Sequence, residues 1–370
     1  MRLNFLDRIS QQFKDQLPFV AYRKPNEEIV QLILQNNQEL HTVVDYEETG
    51  FVFAPFNSNE NAILIKNDSS FAEILQLEKT EENLESVAVE ENISEKTFHL
   101  ELVQKGVNEI KLGNLEKVVF SREVKVKSSQ NPLQLYQNIL SHYPTAFCYI
   151  WYHPKVGMWL GATPELLLEM ENRQLRTMSL AGTMKYNGES EPDWGNKELE
   201  EQHMVTQFIT DSLKGKVASY DVSETISSRA GELWHLKTDI SGVVNLETGI
   251  GAIIHSLHPT PAVGGLPKLK ARDFILKNEN HHREFYTGFL GELNFKEEVN
   301  RPEKRRNQEN RAYRTIKKKT LLFVNLRCMK IQEEQLTIYV GGGITRESDP
   351  EMEWKETSDK SRTMLNIIHR

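Results

Sequence analysis

The stretch MWLGATPELLLEM (residues 158–170), followed by ENR (171–173) and QLRTMSLA (174–181), decides the fold class. Two apolar runs flank a short polar triplet, the pattern of a β-hairpin turning at Glu171-Asn172-Arg173. Hairpins join neighbouring strands without a helical crossover, so their strands are antiparallel. The same reading extends in both directions. Upstream, Ala146–Tyr152 is aromatic and β-branched, hence strand, and Lys117-Val118-Val119-Phe120 opens a strand that runs to Lys127. Further upstream, Phe51–Phe56 and Ala62–Ile65 read as strands around a polar turn. Downstream, strands are expected at Leu233–Val244 and 284–295, and 321–331 and 335–344 pair as a second hairpin. Helices fall between them. Leu100, Val103, Val107 and Ile110 recur at helical spacing and Gly113 ends that helix. Others are expected at Pro132–Tyr143, from Asn196 as cap to about Lys214 (with Val205, Phe208, Ile209 and Leu213 inward), near 249–257 and 268–277, and from Glu351 to His369. The result is an α+β fold of large, mostly antiparallel sheets surrounded by helices, not a doubly wound parallel sheet.

Composition narrows the function. The chain has 370 residues, 53 acidic and 45 basic side chains and a net charge of −8. Its pI near 5.9 argues against nucleic acid as the main partner, and its mean hydropathy of −0.53 fits a globular protein. No run approaches the 18 apolar residues of a membrane span, and the opening MRLNFLDRISQQF has no apolar core of a signal peptide. Cys148 and Cys328 are read as reduced, packed thiols of a cytoplasmic protein, because neither belongs to a CxxC or zinc pattern. No repeat of solenoid period is present. Two segments stand apart. Residues 78–95 carry seven acids and one lysine and read as a solvated connector. Residues 296–320 hold ten Lys/Arg and four Glu; a solvated loop insertion is favoured over an RNA-binding arm, since no aromatic platform accompanies the charge.

Several residues are candidates for chemistry, each with a plainer structural alternative. Glu201 and Glu356 lie mid-helix; across a cleft, two carboxylates suit Mg²⁺, which takes oxygen ligands and shares its shell with anionic substrates. On surface helices they would be ordinary solvated acids. Lys360 follows Glu356 by one helical turn, as an ion pair or as a clamp for a substrate carboxylate. Gly341-Gly342-Gly343 closes a strand and either makes a tight turn or aims bare amides at an anion. Arg327, read within the strand Phe323–Cys328, calls for an anionic partner, substrate or salt bridge. Lys117, at the lip of an apolar strand, is a candidate base or a snorkelling lysine. Glu165 follows Pro164 and precedes three leucines; an apolar wall would raise its pKa toward that of a general acid, whereas an edge strand would leave it solvated. Zinc patterns, GxSxG and Cys/His nucleophile sets are absent.

Taken together, KVVFSR (117–122), LGATPELLL (160–168), LAGT (180–183), EQHMV (201–205) and LWHLKTDISG (233–242) resemble the chorismate-binding enzyme family, and among its members the isochorismate synthases. HPTPAVGGLP (258–267), REFYTGFLG (283–291), LRCM (326–329) and GGGITRESDPEMEWKETSDK (341–360) continue the resemblance in the family's order. It covers roughly residues 98–370, so 98–370 is expected to form the catalytic region and 1–97 a weakly matched N-terminal part of the same fold.

The resemblance implies an isomerase that converts chorismate to isochorismate with Mg²⁺, by attack of water at C2 and loss of the C4 hydroxyl. The product would feed menaquinone or a catechol siderophore. It implies Lys117 as the base, Glu165 as the acid, and Glu201 and Glu356 as Mg²⁺ ligands. Arg327 and the amides of Gly341, Gly342 and Gly343 would clamp the enolpyruvyl carboxylate, with Lys360 beside the ring carboxylate. Gly182, Thr183, His235, Thr238 and Ala262 would line the substrate pocket. A salicylate synthase, with pyruvate elimination from the same site, is the alternative. Ala181, where aminodeoxychorismate synthases carry a lysine, and Lys117 both favour the water-using branch. Gln202 and Lys185 depart from the family's common histidine and arginine. The expected partner is the small molecule alone, with no nucleic acid or membrane, and the expected assembly is a monomer or weak homodimer.

Overall fold

Strand residues that alternate between two apolar cores explain why so many runs in this chain are continuously apolar. In Phe19–Arg23, Phe19 and Ala21 face one core, while Val20 and Tyr22 face another. The computed structural model describes residues 4–77, 92–186, 191–230, 233–299 and 315–368. The first part runs α1 (Phe5–Lys14), β1 (Phe19–Arg23), β2 (Ile29–Leu34), β3 (His41–Thr42), β4 (Gly50–Ala54), β5 (Ile63–Ile65) and β6 (Ser69–Ile74). Next come α2 (Ile93–Lys111), β7 (Lys117–Lys127), α3 (Pro132–His142), β8 (Phe147–His153), β9 (Gly157–Thr163), β10 (Leu166–Glu171) and β11 (Gln174–Lys185). Then follow α4 (Asn196–Leu213), β12 (Val217–Val222), β13 (Ile226–Ala230), β14 (Leu233–Val244), α5 (Ile250–Leu257), β15 (Gly265–Leu266) and α6 (Lys268–Asn278). The last are β16 (Phe289–Val299), β17 (Thr315–Val324), β18 (Cys328–Gln332), β19 (Gln335–Ile344) and α7 (Pro350–Leu365).

The strands form two sheets. The first has the order β15-β7-β19-β18-β9-β8-β1-β2-β6, and the second β12-β14-β11-β10-β17-β16-β4-β5-β3, with β13 also on β14. Every pairing among the described strands is antiparallel, so the α+β expectation holds. The sheets face each other across an aromatic core that includes Phe53, Trp151, Trp159, Phe285 and Phe323. Phe53 stacks on Phe285 at 4.2 Å and Phe147 on Phe323 at 4.4 Å. Helices α1, α3 and the end of α7 cover the outer face of the first sheet, and α4 and α5 that of the second. A fourth core joins α2 and α6 to β7. The layers are thus helix, sheet, sheet, helix. No helix among the described residues is long and apolar enough to cross a membrane.

The structure redraws two runs that read as single strands. Residues 158–170 are β9 and β10, one in each sheet, broken at Pro164-Glu165. Residues 321–331 are β17 and β18, again one in each sheet, broken at Asn325-Leu326-Arg327. Proline cannot supply a ladder N–H, and Arg327 has φ +48°, so both positions leave the strand conformation. The hairpin turn at Glu171-Asn172-Arg173 is as expected, with Asn172 at φ +56°. The two crossings run side by side and hold each other: Val324 N donates to Glu165 O at 2.9 Å, Ala162 N to Arg327 O at 3.0 Å and Thr163 Oγ1 to Val324 O at 2.6 Å.

Smaller differences have local causes. Gly195, not Asn196, is the N-cap of α4, and no side chain caps it. The strand expected at 284 begins at Phe289, because Glu284 and Thr287 take positive φ and Gly288 packs against Ala54 too closely for any Cβ. Gly341–Gly343 is not a turn; it lies within β19, paired with Ser121–Val119 of β7. The flanks of the basic segment are not loop, since Lys296–Val299 pairs with Thr315–Lys318 in an extended hairpin. Three of its lysines meet carboxylates: Lys317 with Glu171, Lys318 with Glu47 and Lys319 with Glu169. The remainder of that segment, 300–314, lies outside the described residues. So does 78–91 of the acidic connector, whose last residues, Ile93–Glu95, already belong to α2.

Candidate active site

One cleft collects side chains from both crossings, from α4 and α7, and from the ends of β7, β11, β14 and β19. Its most telling member is Glu165. The crossing at Pro164 turns this acid inward, leaving it 3% exposed. Burial pushes its carboxyl up to about 8, against the opposing pull of the Lys117 and Arg327 charges. A carboxylic acid that keeps its proton at neutral pH is suited to donating it.

Arg327 enters the cleft from the other crossing. Among the described residues its guanidinium has no hydrogen-bonded or ion-paired partner. A half-buried guanidinium without an anion is a binding place for one. Beside it, β18 pairs with β19 only as far as Tyr339, so the edge of β19 from Val340 to Ile344 carries no neighbouring strand on that side. Lys360 Nζ donates there to Gly341 O at 3.0 Å and pairs with Glu356 at 2.6 Å. The glycines divide by strand alternation. Gly341 and Gly343 line the cleft, whereas Gly342 faces α7, where a Cβ would stand 3.2 Å from Glu353 Oε2.

Lys117 is fully buried at the start of β7, and its ammonium meets Glu201 Oε1 at 2.7 Å. Gly343 makes room for that pair: a Cβ there would lie 2.9 Å from Glu201 Oε1 and 3.2 Å from Lys117 Cε. Glu356 is partly buried, with 31% of its side chain exposed, and Lys360, Lys197 and Arg327 outweigh its desolvation and hold it below the usual carboxylate range. Glu201 and Glu356 therefore both face the cleft, each against a lysine. Among the described residues no group of three or more His, Cys, Asp or Glu is poised around a metal ion.

His235 of β14 is fixed by its neighbours. The oxygen of Gly182 accepts from Nδ1 at 2.8 Å, so the proton is on Nδ1 and Nε2 is an acceptor. That Nε2 is buried with no partner, and burial lowers the ring's pKa to about 3, which keeps it neutral. Gly182, at φ +66° in the irregular stretch of β11, presents the carbonyl, and Thr183 and Ala262 complete this wall. Thr238 is not on the wall. It is 1% exposed behind α4, where it accepts from Gln202 Nε2 at 2.9 Å. Gln202, the departure beside Glu201, is held in that buried network, donating also to Ser179 Oγ at 2.8 Å.

Sequence reasoning passed over Lys197, Glu198, Glu353, Val263, Tyr286 and Thr287. Lys197 lines the cleft and pairs with Glu353 at 3.0 Å; the charges of Glu353, Glu356 and Glu201 together raise its pKa over the opposing effect of burial. The signal was helical spacing: Lys197 stands one turn before Glu201, and Glu353 one turn before Glu356.

Residues 46–300 and 313–366 match the chorismate binding enzyme family. The chain belongs to that family. It is 28% identical over 291 residues to isochorismate synthase MenF of Escherichia coli (strain K12), covering 75% of this chain and 62% of that protein. It is 24% identical over 293 residues to anthranilate synthase component 1 of Aquifex aeolicus, covering 75% of this chain and 54% of that one. The matches thus span less than two thirds of either relative. A solved structure of DhbC from Bacillus anthracis, assigned as a 2,3-dihydroxybenzoate-specific isochorismate synthase, superposes with a TM-score of 0.76 at 25% identity. That superposition covers 97% of this chain and 98% of the other.

Proposed function

We propose that this protein is an Mg²⁺-dependent isochorismate synthase. The observation that carries the reading is the proton-holding Glu165 in one cleft with Glu201, whose ion-pair partner is the buried Lys117, and with a guanidinium that has no partner among the described residues. Chorismate is a dicarboxylate with a hydroxyl to lose, and each part has a counterpart here. Arg327 and the open edge of β19 take the enolpyruvyl carboxylate. Lys360 lies beside the ring carboxylate. The His235 acceptor and the walls at Thr183 and Ala262 orient the ring.

Glu165 donates its proton to the C4 oxygen as the C4–O bond breaks, because hydroxide is a poor leaving group. Lys117, neutral and released from Glu201, accepts the proton from the water that adds at C2, and after turnover it returns that proton through solvent to Glu165. The diene electrons shift from C2 toward C4, one water enters and one leaves, and the product is an isomer of the substrate. The donor set fits Mg²⁺: the carboxylates of Glu201 and Glu356 offer hard oxygens at a cleft built for an anion. When bound, that ion neutralises the ring carboxylate and eases charge movement through the ring. Residues 98–370 form the catalytic region in this reading, with 1–97 a part of the same fold. In this reading the protein is cytoplasmic, in keeping with two free, buried cysteines, and acts as a monomer or weak homodimer.

The test is a product assay. The purified protein is incubated with chorismate and Mg²⁺, and the products are separated by chromatography with fluorescence detection. Isochorismate alone supports the proposal. Salicylate with pyruvate reassigns the protein to the lyase branch, anthranilate on adding ammonia reassigns it to the amine-using branch, and no Mg²⁺-dependent product overturns it. A menaquinone or catechol-siderophore destination is decided by which pathway loses its product when the gene is deleted.

A further inference from the structure

Arg283 lies outside the cleft, yet its guanidinium uses all five N–H groups, three of the bonds going to residues of the cleft wall. It forks onto Glu279, with Nε to Oε2 at 2.8 Å and a terminal nitrogen to Oε1 at 2.6 Å. The remaining donors reach Val119 O at 2.6 Å, Val263 O at 3.0 Å and Thr287 Oγ1 at 3.2 Å. Val119, Val263 and Thr287 all line the cleft, and they come from three separate segments of chain. Glu279 in turn accepts from Ser121 N and Oγ at 2.7 and 2.9 Å, so the pair grips β7 at Val119 and Ser121, on either side of Phe120. Thr287 N donates to Asn325 O at 2.9 Å, which links the same hub to the crossing that carries Arg327. The guanidinium stacks on Phe56 at 4.3 Å and is 4% exposed at residue level.

We propose that Arg283 is a positioning residue: it sets β7, and with it Lys117, against the Ala262-Val263 and Tyr286-Thr287 walls, fixing the water-attack side of the site. This rests on the proposed chorismate chemistry. Only a planar fork with five donors reaches all these acceptors at once; a lysine offers three donors from one point. The carboxylate-binding groups Arg327 and Lys360 are not bonded to it, so its loss falls on turnover rather than on substrate binding.

The fold supplies a direct test. A second cavity of about 600 Å³ is lined by Phe56, Glu279, His281 and Arg283 itself. Free guanidinium ion can therefore enter the hole left by Arg283→Ala. The expected result for R283A is a fall in kcat of about 100-fold with KM for chorismate within about threefold. Guanidinium chloride at roughly 10 mM should restore about tenfold of it, while equal concentrations of urea or sodium chloride restore none. R283A with wild-type kcat per folded molecule, or with rescue that only tracks the folded fraction seen by near-ultraviolet circular dichroism, overturns the inference. If R283A does not fold, Arg283→Lys is decisive: about a tenfold loss in kcat at unchanged KM supports it, and wild-type kcat sinks it. A wild-type protein that does not turn over chorismate removes the functional reading and this inference together, whereas an active wild type with equally active Arg283 variants removes the inference alone.

Discussion

Glu165, the acid of the proposed reaction, works against stability by keeping its proton. Its folded pKa of about 8 exceeds the ordinary carboxyl value of 4.5. Between those pH values the folded state keeps a proton that the unfolded chain has released, so stability falls as pH rises from 4.5 through 8. Glu165→Gln removes that cost. The variant should lose at least about 100-fold in kcat, yet gain on the order of 2–4 kcal/mol against urea at pH 8 and almost nothing at pH 4.5. Urea titrations of both proteins at the two pH values check this; a variant destabilised at pH 8 would refute the buried-acid assignment. The glycines of β19 separate in the same way. Gly343→Ala presses on the mobile end of Glu201 and should cost at most about 1 kcal/mol, while weakening Mg²⁺ binding roughly tenfold by calorimetry. Gly341→Ala meets the Phe120 carbonyl at 2.7 Å, which cannot give way, so its loss should appear in the melting temperature.

At the scale of elements, the sequence was most legible where periodicity was undisturbed. Helix α2, strands β7 and β14 and the β10–β11 hairpin follow from spacing alone, as does the antiparallel class. It was least legible at the two sheet crossings. Leu160 and Leu168 are both fully buried, so the residues on either side of Pro164 read as one apolar run although they belong to different sheets. Apolar patterning reports burial, not which sheet does the burying. Glu165 and Arg327 were nevertheless singled out, as charged residues in apolar company, but the reason for their placement lay in crossings between sheets, of which Pro164 marks one and no residue of 325–327 marks the other. Thr238 was placed on the pocket wall by the resemblance alone, and the structure puts it behind α4, bonded to Gln202. The N-terminal strands β1 and β2 were passed over because both are short and neither alternates: Phe19–Arg23 is buried on both faces, and Ile29–Leu34 is apolar at every position but Gln31 whichever face it turns out.

Across the whole molecule, buried neutral histidines set the acid limit. Burial lowers His99 to about 4 and His235 and His258 to about 3, from an ordinary 6.5. Below pH 6.5 the unfolded chain takes up protons that these rings refuse, so the stability they contribute is intact above 6.5 and is lost as pH falls toward 3. The unfolding free energy read from urea titrations should therefore drop from pH 6.5 to 4 by on the order of several kcal/mol, net of the smaller opposing gain from Glu165 down to pH 4.5. Near-ultraviolet circular dichroism follows it, since Trp151, Trp159 and Trp354 lie in or against the cores. A flat profile over that range would contradict the burial of all three rings.

The paired crossings have a consequence for motion. Glu165 and Arg327 are tied to each other's strands by main-chain bonds between Val324 and Glu165 and between Ala162 and Arg327. When the two sheets slide over one another, the proposed proton donor and the proposed anion clamp travel as common passengers, and the gap between them is conserved to first order. Thermal breathing of the sandwich is thereby filtered out of the one separation that must match the span of the substrate, and the molecule keeps its gauge length without having to be stiff.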